Sequence, residues 1–317
     1  MHQLNALVEM ENPKAVLGEV RATVLMTSKS FDFKPVDSAY VDIMRLFLGK
    51  YPGYKKCNTG YHDLQHSNDT FLATARLIHG ARVKGRILSD RNIALGLISA
   101  LMHDTGYIQE IDDYTGTGAK YTSFHVSRSI EFMRRYFAKK GYSRKDFLIC
   151  RNVVLCTDHH FETGKISFLS KENELIGKIL GTADILGQMA SRTYLEKLLF
   201  LFREFQEAYI SSYKCEFDFL KKSLRFYEVI KRRIAYDLGG VYKYMKNHFM
   251  NRWRIEKNLY LNAIFNQMIY LKSIIENNSE SYRKFLRRGG LVKKLIELES
   301  SVSANVGTAR LGYSMTA

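Results

Sequence analysis

The chain is expected to be all-α, and three observations predict it. Apolar residues recur three and four apart over most of the 317 positions, the period of a one-sided helix. Only three prolines occur (Pro13, Pro35 and Pro52), so nothing after Tyr54 interrupts a helix through a missing N–H. Alternating strand patterns are scarce, and no Asn-Gly or Asp-Gly turn joins two β-branched runs. The length fits one large domain, or one domain with an extension. The expected division is an N-terminal helical segment over 1–36, a helical bundle over 37–233 and a basic helical extension over 234–317.

Taken in order, residues 51–60 form the first expected loop. Residues 90–104 follow as a helix, with Ile93, Leu97, Ile98, Leu101 and Met102 on one stripe and Ser89 or Asp90 as its cap. The next loop, 106–120, carries Asp112-Asp113 and Gly116-Thr-Gly118. No strand precedes it and no Gly-Lys-Ser/Thr follows, so it is no phosphate-binding P-loop and fits a mobile rim. Helical periods return over 127–137, 146–156, 194–209, 216–234 and 258–275, with a loop over 161–173. In the extension, Trp253, Tyr260, Ile264, Phe265, Met268, Tyr270 and Leu271 form an apolar face too large to leave in water, so it should pack on the bundle. The small, polar stretch 300–317 is expected to fray.

Composition narrows the setting. The chain is 46% hydrophobic and 25% charged, ordinary for a protein with a substantial core. Four cysteines (Cys57, Cys150, Cys156 and Cys215) lack zinc-ribbon spacing, which fits free thiols in a reducing compartment. The first residues show no basic stretch leading into an apolar one, and no run of eighteen apolar residues occurs. A cytoplasmic protein with no membrane partner is expected. The net charge of +16 leans to the end: from Lys214 onward there are 20 Lys/Arg against 9 Asp/Glu. That leaves two readings open, a nucleic-acid footprint through the basic third and ordinary solvated helix faces. The oligomeric state is not encoded legibly.

The chemistry lies in an ordered set of His and Asp residues: His62 and His66, then His103-Asp104, His125, His159-His160 and Asp184. Seven of the nine histidines fall between 62 and 160. With no Cys interleaved, the set offers nitrogen and oxygen ligands, which suit Mn, Fe, Mg, Zn or Ni and not a thiolate site. His62 and His66 are four apart, which on a helix puts both imidazoles on one face. His103-Asp104 ends an apolar run and Asp184 sits inside another, where an unpartnered ionisable group is costly and a cation would satisfy it. His125 should open the next helix, and His159-His160 should close the helix over 146–156.

In this order the residues resemble the HD superfamily of metal-dependent phosphohydrolases, over roughly residues 37–233. The resemblance implies an HD-domain helical bundle, with His66, His103, Asp104 and Asp184 as ligands of a first metal. It implies a second metal on His125 and His159, with Asp104 bridging. The doubled His159-His160 is similar to the paired histidines of HD-GYP cyclic-dinucleotide phosphodiesterases, so His160 is also a candidate ligand. The Gly-Tyr-Pro signature is absent, and Tyr107 stands where that family has Lys. The stretch from Tyr61 to Asp69 resembles the opening of cyclic-nucleotide phosphodiesterase domains, with Asp63 for Asn and Ser67 for Ala. There the first His protonates the leaving oxygen, a role that falls to His62; that family's next His, four past the His of the His-Asp pair, is here Tyr107.

What the resemblance implies is hydrolysis of a phosphomonoester or phosphodiester, a nucleotide foremost. Two divalent ions would activate hydroxide for attack on phosphorus, Asp104 would hold both, and His62 would donate the proton to the departing alkoxide. Lys120, Arg128 and Lys178 are candidate phosphate clamps, and Gln188 a candidate contact to base or phosphate. Two other readings stay open. The same order resembles the di-iron HD oxygenases, such as myo-inositol oxygenase, and a nucleotide-sensing or RNA-binding HD protein would use the fold without the chemistry.

Overall fold

Every regular element among the described residues is helical, in a computed structural model that describes residues 3–300 apart from 278 and 298. One isolated bridge, Tyr54 with Glu110, is the sole β feature among them. The expected fraying over 300–317 falls, from 301 on, outside the described residues.

Several of the helices begin where the sequence supplies acceptors for their free N–H groups. Asn12 caps α1 (Pro13–Thr27), whose first residue is a proline that needs no acceptor. After α2 (Lys34–Phe47), Asp63 caps α3 (Leu64–Val83) by accepting from His66 N. Ser89 caps α4 (Asp90–Met102), and Ser143 with Asp146 forms a reciprocal capping box on α6 (Arg144–Val154). Between them, α5 (His125–Lys140) stops at Gly141, whose φ of 74° is the left-handed turn that favours glycine. Ser170 caps α7 (Lys171–Ala190); α8 (Tyr194–Glu207), α9 (Glu216–Arg232), α10 (Tyr244–Trp253) and α11 (Leu259–Asn277) follow. A π-helical turn, Arg233–Asp237, continues α9.

α3 is the axis of the molecule. It packs against α1, α4, α7 and α10, and every residue from His66 to Ala81 is buried. Two glycines set the spacing of these contacts. A Cβ on Gly80 would stand 1.9 Å from Tyr244 O of α10, and one on Gly187 of α7 would stand 2.9 Å from the Asp69 backbone. Close crossing at Gly187 brings Asp184, one turn earlier, toward the first turn of α3.

The core runs unbroken from Val8 to Leu295, across the expected segment limits at 36/37 and 233/234. Within the extension, α10 lies on α3 and α11 on α7, as its apolar face predicts. Tyr260, Ile264, Met268 and Leu271 are buried, and Trp253 and Tyr270 pack half-buried against the core. Phe265 departs from the expectation: it is 59% exposed, because it lies on the face of α11 turned from α7.

Candidate metal centre

Two helix ends and the middle of a third helix build the centre. His66 sits in the first turn of α3, His103 and Asp104 follow the last turn of α4, and Asp184 lies in the middle of α7. Their donor atoms converge. His66 Nε2 is 3.1 Å from His103 Nε2, 3.0 Å from Asp104 Oδ2 and 3.1 Å from Asp184 Oδ1. His103 Nε2 is 3.2 Å from Asp104 Oδ2 and 3.5 Å from Asp184 Oδ1. Donors about 2.1 Å from one cation stand roughly 3.0 Å apart at an octahedral right angle and roughly 3.4 Å at the tetrahedral angle. The observed separations fall in that range.

The tautomers agree. His103 Nδ1 is 2.8 Å from Ala100 O, and His125 Nδ1 is 2.7 Å from Thr122 O. A carbonyl only accepts, so each Nδ1 carries a hydrogen and Nε2, which faces the centre, is the atom that would ligate a metal. Asp104 Oδ2 is buried with no hydrogen-bond donor of proper geometry, as a ligand oxygen awaiting a cation would be. The residues fit a divalent metal.

Without a cation the charges settle among themselves. Burial pushes the His66 imidazole down, but Asp104 and Asp184 outweigh it and bring it up to about 9. His103 is likewise held well above its usual range against its burial. Asp104 and Asp184 are both drawn well below the carboxylate range, since the two imidazoles overcome the penalty of burial. His125 differs: burial lowers it, and Asp104 opposes this only in part.

A second position is half built. His125 Nε2 is 3.7 Å from Asp104 Oδ1, the oxygen other than the one facing His66 and His103. Asp104 thus turns one oxygen to each side, the disposition a bridging carboxylate needs. His159 and His160 are not brought to this group. The helix expected to end on them stops at Val154, gives one 3-10 turn (Leu155–Thr157) and releases both residues into an exposed turn, where His160 N donates to Asp158 Oδ1. His159 still feels the charge of Asp184, and its ring lies 6.0 Å from Phe226.

His62 also departs from the expected helix, because Asp63 takes the cap and leaves His62 in the loop before it. Its ring nevertheless stands 5.9 Å from that of His66. Two features hold it there. Tyr107 stacks with both His62 (4.2 Å, 10°) and His125 (4.5 Å, 24°). Buried Glu204 of α8 places Oε2 2.6 Å from His62 Nδ1 and accepts from Tyr61 N through Oε1 at 2.7 Å. One face of α8 clamps the whole segment: seven residues before Glu204, Lys197 donates to both oxygens of Asp63 at 2.7 Å. Sequence reasoning missed Glu204 and Lys197. The available signal was a charged residue within the apolar period of residues 194–209.

The basic residues singled out as phosphate clamps are engaged elsewhere. Lys120 is tied to Asp113 and Thr115, and Lys178 to Glu174. Arg128 donates to Gly106 O and Ile108 O while lying 3.6 Å over the Tyr121 ring. These bonds make Arg128 a fastener of the His103-Asp104 turn onto α5. Gly106 completes the joint, donating to Ser129 Oγ at 2.8 Å, and a Cβ there would stand 2.0 Å from His125 O. Gln188 is half-buried one turn beyond Asp184.

No protein-family model matches the chain, and neither a curated protein nor a solved structure matches it. No described helix is long and apolar enough to cross a membrane.

Proposed function

We propose that the chain is a metal-dependent phosphohydrolase of HD type, acting on a phosphomonoester or phosphodiester. The observation that carries this reading is the convergence of His66 and His103, 3.1 Å apart, with Asp104 and Asp184, each imidazole Nε2 standing 3.0–3.5 Å from an oxygen of both carboxylates, beside a histidine already paired with a buried carboxylate. Divalent cations, when bound, activate water and neutralise phosphoryl charge. Everything else falls to the chain's own groups. His62 holds a proton at Nε2 for the departing oxygen, while Glu204 accepts from Nδ1 and orients the ring. Tyr107 fixes the plane of that ring and of His125, whose centre lies 6.0 Å from that of His62. Asp104 and His125 hold the second position.

Metal analysis of the native chain, followed by a panel of phosphomonoesters and phosphodiesters, tests this. Hydrolysis of at least one class is expected, lost on chelation and in His103→Ala. A chain that binds metal, consumes O₂ with an iron pair and releases no phosphate would overturn it in favour of the oxygenase chemistry.

A further inference from the structure

A cavity of about 260 Å³ lies apart from the centre, walled by residues 4–11, by α3, by the end of α7 and by Tyr260 of α11. None of the four ligand residues lines it. Its most buried charged group is Arg76, fully enclosed on α3 two turns past Asp69. A guanidinium stays protonated even there, so its N–H groups need acceptors. The ring centres of Phe249, Trp253 and Tyr260 lie 5.6, 5.6 and 5.7 Å from its Cζ, close enough to stabilise the charge. Only Nη1 has an acceptor, the Tyr260 hydroxyl at 3.0 Å. Nε and Nη2 are buried without one, and Arg76 forms no ion pair among the described residues. Those two nitrogens share one edge of the guanidinium plane, the fork that takes both oxygens of a carboxylate.

The rest of the lining asks for a cation as well. Asp69 is buried, and among the described residues only its Oδ1 is engaged, by Gln65 Nε2 at 2.8 Å. The exposed rim carries Glu9, Glu11 and Arg192. The charged lining is therefore three carboxyl side chains against two guanidinium groups. A bare dianion such as phosphate would add its charge to the side already in excess, whereas a zwitterion brings a partner for each sign. Val8, Ala190 and the Tyr260 ring supply apolar wall for a short side chain. The volume lies under the roughly 300–1,000 Å³ of drug-sized sites, which suits a smaller occupant.

We infer that this cavity is a second binding site, for a free α-amino acid, with the carboxylate on the Nε–Nη2 edge of Arg76 and the ammonium on Asp69. The site stands independently of the phosphohydrolase reading. Calorimetric titration of the full chain with each standard amino acid in turn, and with acetate, methylamine and inorganic phosphate, tests it. At least one amino acid should bind saturably. Acetate and methylamine, which each carry one end alone, should bind at least about tenfold more weakly. Asp69→Asn keeps the shape, and Arg76→Lys keeps the charge without the fork; each should raise the Kd on the order of tenfold or more. Where Arg76→Lys does not fold, Asp69→Asn carries the test. His103→Ala should bind the amino acid unchanged, which separates this site from chelation of a metal at the centre. No saturable binding into the millimolar range would overturn the inference. So would binding that Asp69→Asn leaves unchanged, binding lost in His103→Ala, or tighter binding of phosphate than of every amino acid.

Discussion

Replacing Asp69 with Asn isolates the cost of a charge buried beside the centre. Asp69 lies on α3 one turn from Gln65, whose Nε2 donates to its Oδ1 at 2.8 Å. Burial raises the carboxyl, and the Lys197 ammonium and the Gln65 bond offset this only in part, so it titrates at about 7 in place of 3.8. Below the lower value it is protonated folded and unfolded alike and contributes nothing. Between the two values the unfolded chain ionises first and binds fewer protons, so stability falls by about 1.4 kcal/mol per pH unit. Above 7 the deficit levels off at about 4 kcal/mol. Asn does not titrate, so the advantage of Asp69→Asn should grow by about 2.5 kcal/mol from pH 5 to pH 8. Urea unfolding of both proteins in chelator, with equal m-values, measures it directly. A difference that is flat across this range, or that shrinks as pH rises, would refute the reasoning.

Other consequences concern the centre itself. Elemental analysis of His103→Ala should find no bound metal, while His159→Ala should keep at least the first ion, since His159 lies outside the four-atom group. Glu204→Gln replaces a charge-assisted hydrogen bond with a neutral one, a loss of about 1–1.5 kcal/mol, and kcat should fall about tenfold on poor leaving groups and less on activated aryl esters. Gly106→Ala sets a Cβ against His125 O and should cost about 1–3 kcal/mol or more in denaturant unfolding, since neither backbone can give way.

How much was legible before the structure depends on where each residue sits. Helices with one buried face, such as α4, α5 and α8, announced themselves through their period and were expected within a few residues of their ends. α3 was opaque because it is enclosed on all sides, and it carries Ser67, Asn68, Asp69, Thr70, Arg76 and His79 inside. No one-sided stripe exists to be read when every side is core. Ligands in the first turn of a helix or at its end were legible from residue type and order. Groups acting from a distance were not: Glu204 reaches His62 across 142 positions, and nothing local marks that pairing. His159 and His160 show the converse limit. Their period promised a continuing helix, but the chain turns at Leu155 to bring Cys156 O against Gly181.

The proton inventory of the metal-free centre gives the last test. His66 titrates at about 9 and His103 well above its usual range, so both imidazoles carry a proton near neutral pH. For each, the folded value lies above the unfolded one. The stability they contribute is therefore complete below about 6.5; the His66 share is lost as pH rises through about 9, and the His103 share as pH rises through its own raised value. A ligand imidazole must be neutral, so a cation that takes both has to displace as many as two protons. His125, lowered by burial, adds none. Metal affinity should therefore climb up to about a hundredfold per pH unit from neutrality, and grow less steep as pH passes about 9, where His66 no longer has a proton to lose. Calorimetric titration of the chelator-stripped chain with Zn²⁺, in two buffers of different ionisation enthalpy, counts the protons released. Stoichiometric uptake with no proton release would mean that the imidazoles are neutral in the empty centre, and that Asp104 and Asp184 do not hold them as described.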